Sequence, residues 1–224
     1  MLLLAIDTAT SAVTVAVHDG DRVLGEHTEV EARRHAEILT PTIERVMDQA
    51  GRRPADFTAI AVGVGPGPFT GLRVGVATAV TLGLALDVPA YGVCSLDAIA
   101  QSVRESGMTQ DFLVATDARR KEVYWARYRS HADRVERVSG LPGVDRPAEL
   151  PEDLRALPVA GRGPLLYPDS FGQPLEQGDV DAGSLARFAL GELAAGRELL
   201  PVQPLYLRQP DAQPASAQKS VLAR

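Results

Sequence analysis

The chain is almost without cysteine. Cys94 is the only one in 224 residues, which excludes an internal disulfide framework and makes the cytoplasm the expected compartment. It also lacks an excess of basic charge. Lysine and arginine total 23 against 29 acidic residues, a net charge of −6, and this argues against a nucleic-acid groove built by this chain alone. Arg33-Arg34, Arg52-Arg53 and Arg119-Arg120-Lys121 are short runs, each read as a solvated face. His18, His27, His35 and His131 share no metal-ligand spacing, so no metal centre is expected. A nucleophile elbow G-x-S-x-G and a zinc-binding helix are both missing, which leaves a peptidase without its chemistry. Long apolar runs are missing too. Val74 to Leu86 is uncharged but only 13 residues long, below bilayer span, and Met1 to Ile6 is too short for a signal peptide.

What the chain does have is glycine, concentrated in one stretch. Gly63 to Gly75 reads G-V-G-P-G-P-F-T-G-L-R-V-G, with five glycines and two prolines. Glycine permits φ > 0 and close backbone approach, and proline fixes φ, so a run this dense is a shaped backbone. The apolar strand candidate Ala59 to Val64 leads in, and a helix candidate, Thr70 to Leu86, leads out. Strand, glycine loop and helix is the layout of a phosphate cradle. The detail departs from known cradles. Gly71 is followed by Leu72 and Arg73 where a Walker loop needs Lys and Ser/Thr, and Thr70 stands at the third Rossmann glycine. A structural loop that packs a helix tightly on a sheet is the competing reading.

In the first half, Leu2 to Ile6 reads as a strand buried on both faces. Asp7-Thr8-Ala9-Thr10-Ser11 turns into a second strand, Ala12 to Val17, and Asp19-Gly20-Asp21 into a third, Arg22 to Thr28. Hydroxyls and N–H groups in the first turn could face a phosphate, with the aspartate holding a metal-bound water; Asp and Thr also favour ordinary turns. Arg33 to Gly51 reads as a helix with Leu39, Ile43, Val46, Met47 and Ala50 on one stripe. Pro41 within it predicts a kink or a second start capped by Thr40. The helix after the glycine loop has no charge from Val74 to Leu86 and must be covered all round. Val88 to Val93 reads as a strand, and Ser95 as the cap of a helix over Leu96 to Ser106.

The second half repeats the opening. Asp111 to Thr116 is an apolar strand that runs into Asp117, and Glu122 to Arg129 is the strand after the turn, an echo of Leu2 to Val17 about 110 residues on. Val138 to Pro158 is proline-rich and irregular, with one short helix. Val159 to Gly163 is a strand end with a glycine turn, Ala182 to Gly196 an amphipathic helix, and Pro201 to Arg208 an extended segment. Two lobes are expected, residues 1–106 and 107–208, with 209–224 as a disordered polar tail.

Four segments together resemble the TsaB family, the bacterial tRNA threonylcarbamoyladenosine biosynthesis subunit. They are Leu4 to Thr10, Gly65 to Gly75, Asp117-Ala118-Arg119 with Glu122-Val123-Tyr124, and Pro204 to Arg208. The likeness covers residues 1 to 208. One departure is Pro68, where the family usually has serine; it removes a hydroxyl and weakens phosphate binding in the loop. The resemblance implies an α/β fold of the actin, sugar-kinase and Hsp70 type, two lobes each with a mixed sheet flanked by helices. It implies a non-catalytic subunit that pairs through its first lobe with a related catalytic subunit, TsaD, joined by the ATPase TsaE. The complex serves threonylcarbamoylation of adenosine 37 (t6A) in tRNAs reading codons that start with A, and tRNA is met only through the complex. No cofactor is required, with weak ATP or ADP binding at a degenerate phosphate turn of Asp7, Thr8 and Thr10. The expected interface combines Leu39, Ile43 and Met47 with Thr70, Arg73, Val76, Ala79 and Gly83, and the same face would pair with itself in a homodimer when the partner is absent. No membrane contact is expected. The alternative is a stand-alone ATP-binding enzyme of the actin-like superfamily, a kinase or ATPase with its nucleotide between the lobes.

Overall fold

A computed structural model describes residues 1–207 apart from 32 and 139; the tail expected over 209–224 lies outside the described residues. The first sheet has five strands. β1 (Leu3–Asp7), β2 (Ala12–His18) and β3 (Val23–Val30) form an antiparallel meander. β4 (Ala59–Gly63) and β5 (Ala90–Val93) add in parallel on the other side, giving the order β3-β2-β1-β4-β5. β1, β2 and β4 are buried along their whole length, which is why they read as continuous apolar runs.

Two helices cover one face. α1 (His35–Ala50) turns Ile38, Leu39, Ile43 and Val46 inward and ends at Gly51, whose φ of 61° suits a left-handed cap. Pro41 lies inside α1 without splitting it, so the expected second start at Thr40 does not occur. α2 (Phe69–Leu86) buries Leu72, Val76 and Ala79 against the same core. Burial of a Leu or Val side chain is worth about 1.5–3 kcal/mol. By length and composition α2 could cross a membrane, since it begins before the uncharged run. In the fold its inner side is taken up by the first sheet and α1.

The opposite face of this sheet meets α3 (Ser95–Glu105) and α6 (Ala182–Ala194). α6 comes from the far end of the chain yet packs on β1 and β2 beside α3. The second sheet closes over the other side of these two helices. It comprises β6 (Phe112–Arg119), β7 (Glu122–Ser130), β8 (Val135–Arg137), β9 (Gly143–Asp145) and β10 (Val159–Ala160). Their order is β10-β6-β7-β8, with β9 also on β7. One apolar cluster therefore runs from Leu3 and Ala5 through Leu96, Ile99, Leu185 and Ala189 to Phe112 and Tyr128. A buried ion pair crosses it: Arg137 Nη2 donates to Asp97 Oδ2 at 2.6 Å, and Tyr128 Oη to Asp97 Oδ1 at 2.6 Å. The outer face of the second sheet is covered by the segment holding the short helices α4 (Glu152–Arg155) and α5 (Gly163–Leu166), with Leu150 and Phe171 in the core beneath.

Candidate functional site

The Asp7 turn is the natural place to look for ligand chemistry, and its side chains face inward. Asp7 is fully buried. Its Oδ1 accepts from the Ala9 N–H at 2.7 Å, and its Oδ2 accepts from Ser95 Oγ at 2.6 Å. Ser95 therefore does not cap α3. It sits in the first turn, and Cys94, the residue before the helix, offers no side-chain cap. Burial pushes the Asp7 carboxyl up from 3.8 to about 6; the Ser95 and Ala9 hydrogen bonds pull the other way, and Asp179 adds a small upward push. Thr8 is also fully buried, with its Oγ1 donating to the Gly71 carbonyl at 2.8 Å and accepting from the Gly75 N–H at 3.0 Å. Of the three residues expected to form a phosphate turn, only Thr10 reaches the surface, and its Oγ1 accepts from the Ala12 N–H at 3.2 Å.

The glycine loop makes this closure possible. A Cβ at Gly63 would overlap Asp7 Oδ2, and one at Gly67 would overlap the Ala9 carbonyl. The stretch from Gly63 to Gly75 is thus a tight lid over the Asp-Thr turn, as the structural-loop reading requires. His35, at the head of α1, adds a further tie, with Nε2 3.0 Å from the Thr10 carbonyl.

The turn after β6 is open by contrast. Asp117 Oδ1 accepts from the Arg119 N–H at 2.7 Å, and its Oδ2 lies 3.1 Å from Arg119 Nη1. Arg119, Arg120 and Lys121 all have positive φ, at 62°, 55° and 66°. Opposite, Arg162 grips Asp179 with Nε and Nη2 at 2.9 and 2.6 Å. Among the described residues no group of three or more His, Cys, Asp or Glu side chains could hold a metal ion. The Cys94 thiol is buried and pushed up to about 12 by that burial, which makes it a poor nucleophile.

The expected interface residues divide. Leu39, Ile43, Val76, Ala79 and Gly83 belong to the chain's own core or to its tight packing, and Ala79 is wholly inaccessible. As surface contacts these five are corrected; Met47 is half-buried, while Thr70 and Arg73 are exposed. The outward stripe of α2 is instead Phe69, Arg73, Ala77, Val80 and Leu84, with Phe69 57% and Leu84 81% exposed. An uncharged helix has no polar face to say which side turns in, so the sequence could not choose. The closing segment, expected as extended, lies against the body: Leu205 N–H donates to the Val64 carbonyl at 2.7 Å, and Gly92 pairs with Leu200. It held no sign that Tyr206 would stack on Phe69, 5.4 Å between centroids, or that Arg73 would lie 4.9 Å over the Phe69 ring.

Comparison with known proteins settles the family. A protein of Escherichia coli K12 described as "tRNA threonylcarbamoyladenosine biosynthesis protein TsaB" is 33% identical over 221 residues, 93% of this chain and 95% of that protein. The chain belongs to the TsaB family. A Mycobacterium tuberculosis protein, described as uncharacterized, is 45% identical over 218 residues, 95% of this chain and 94% of that one. The family model described as "TsaD: tRNA N6-adenosine threonylcarbamoyltransferase" matches residues 18–156. Among solved structures, a Pseudomonas aeruginosa protein described as similar to peptidase YeaZ superposes with a TM-score of 0.81 at 32% identity, covering 92% of this chain and 99% of that one. The α/β fold with two mixed sheets expected from the sequence is the one found.

Proposed function

We infer that this chain serves tRNA threonylcarbamoyladenosine biosynthesis, as its E. coli relative's name states for that protein, and that it does so as an accessory subunit. We propose further that it is non-catalytic and pairs with a TsaD-type catalytic subunit, with the ATPase TsaE joining them in the cytoplasm. The activity supported is threonylcarbamoylation of adenosine 37, with tRNA met through the complex. No cofactor is required in this reading, and ATP or ADP binds weakly at most. The observation that carries it is the uncovered outer stripe of α2, where Phe69, Val80 and Leu84 stand exposed on a helix without an acidic residue. Each square ångström of that apolar surface forfeits about 25 cal/mol when left wet, and two such faces from related chains would form a four-helix seam with α1. A second copy of this chain could use the same stripe in a homodimer when the partner is absent. The sealed Asp7 turn fits an accessory role, because its carboxylate and hydroxyl are spent on the chain's own backbone and Ser95.

Leu84→Glu tests the reading. It should lower affinity for the TsaD-type partner at least about tenfold in sedimentation, with an unchanged circular dichroism spectrum, because Leu84 supports nothing inside the monomer. Ala79→Arg should instead unfold or strongly destabilise the lobe. Full partner binding by Leu84→Glu would remove this stripe from the interface.

A further inference from the structure

α6 is tied to the first sheet by polar groups at its start. The Ala182 N–H donates to Thr14 Oγ1 on β2 at 3.2 Å, and the Gly183 N–H to Glu26 Oε1 on β3 at 2.9 Å. The Ser184 N–H donates to Asp181 Oδ1 at 2.6 Å, so Asp181 is the cap of the helix. Two carboxyls, Glu26 and Asp181, therefore meet at one helix start, although 155 positions of chain separate them. Arg187, on the same helix, stands with Nη2 3.6 Å from Asp181 Oδ1. Its closer tie is to Glu105 of α3, with Nε and Nη2 each 2.7 Å from that carboxylate, and Ser184 Oγ donates to Glu105 as well. Among the described residues at this junction, three carboxyls thus share one guanidinium. β2 adds no second cation. The His18 Nδ1 accepts from the Gly20 N–H, and burial, then Arg187, hold its imidazole below the usual range. Asp19, Asp21 and Arg22 lie in the turn beyond it. Arg45 of α1 is on the other face of β3, 3.4 Å from His27 Nε2.

We propose that Glu26 and Asp181 form a pH-sensitive latch that holds the β2–β3 hairpin on α6, closed while the two carboxyls share one proton and slackened when both are charged. The start of a helix stabilises negative charge near it, and Asp181 already supplies one. A second charge on Glu26 opposes the first, with the one guanidinium engaged by Glu105. Burial, then the hydrogen bond to Asp181 and its charge, raise Glu26 from 4.5 to about 7, against the pull of the Gly183 N–H and Arg187. The folded chain holds this proton more tightly than the unfolded one. The latch's contribution to stability is therefore complete below pH 4.5 and is lost as pH rises through about 7. Slackening has a path to α1. Gly25, beside Glu26, packs directly on that helix, where a Cβ would stand 2.8 Å from the Val46 carbonyl.

Hydrogen exchange on the purified full chain tests the latch, with rates corrected for the intrinsic pH dependence of exchange. Protection of the β3 amides and of the Ala182 and Gly183 amides should fall about tenfold in the wild type between pH 6 and 8. Glu26→Gln keeps an oxygen acceptor for the Gly183 N–H but carries no charge, and its protection should fall no more than about twofold. Asp7 is present in both proteins, so its own titration contributes equally. Asp181→Asn keeps a capping oxygen and should flatten the profile in the same way. Carboxyl carbon NMR supplies a second readout: the Glu26 midpoint should lie near neutral pH in the wild type and move down in Asp181→Asn. Parallel exchange profiles in the wild type and both variants overturn the proposal. So does a Glu26 midpoint in the ordinary glutamate range, or one that Asp181→Asn leaves in place. Neither measurement needs a partner chain, so the result is independent of the accessory-subunit reading.

Discussion

Asp7 and Asp117 occupy the same place in two copies of one unit. Asp7 ends β1 and Asp117 lies two residues before the end of β6; each strand pairs antiparallel with the next, and each aspartate accepts a hydrogen bond from the N–H two residues on. Each first strand also pairs in parallel with a later strand, β1 with β4 and β6 with β10. Beyond that later strand the copies diverge. After β4 come the glycine lid and the 18-residue α2, and Ser95 reaches Asp7 from α3. The helix that follows β10 is α5, four residues long, and Asp117 stays partly exposed, paired with Arg119. The same aspartate-to-backbone hydrogen bond is thus part of a sealed structural joint in one half and of an open polar wall in the other, where the chain continues through three left-handed residues. The covering element decides which.

The comparison is broken most severely at Gly63. Gly63→Ala places a methyl group against the Asp7 carboxylate and Ser95 Oγ, side-chain atoms held in place by their own hydrogen bonds. It should cost about 3 kcal/mol or more, read as a large drop in urea midpoint or a failure to fold; a loss under about 1 kcal/mol would mean the lid is looser than it looks.

Asp7 sharpens the contrast through pH. Its folded value is raised to about 6 from 3.8, so the folded state holds the proton more tightly than the unfolded chain. The resulting stability is complete below pH 3.8 and is lost as pH rises through about 6. The full swing is about 3 kcal/mol. Urea unfolding from pH 4 to 7.5 should show this fall in the parent and a flatter profile in Asp7→Asn; parallel profiles would refute it.

The smallest effect belongs to the second copy. Asp117→Asn removes a partly exposed ion pair to Arg119 and should change stability by no more than about 1 kcal/mol. A loss matching that of Gly63→Ala would show that the second turn is sealed as well.

Much of the fold was legible because its signals are local. Apolar runs placed β1 and β4 within a residue, while β6, expected to stop at Thr116, runs three residues further to Arg119; Gly51 and Gly196 closed their helices as glycine does at positive φ. The repeat of strand, aspartate and strand was visible for the same reason. Tertiary structure decided the rest. Ser95 meets Asp7 across 88 positions, and no spacing rule links a serine at a helix start to a distant carboxylate. Arg33 and Arg119 looked like separate solvated charges until the two halves folded them onto one cavity. The inward side of α2 was hidden because periodicity needs contrast, and a helix uncharged from Val74 to Leu86 offers none. Sequence alone set the local geometry of each turn and helix; which side chains became core, joint or surface depended on long-range packing that brings together residues with no local signal of their meeting.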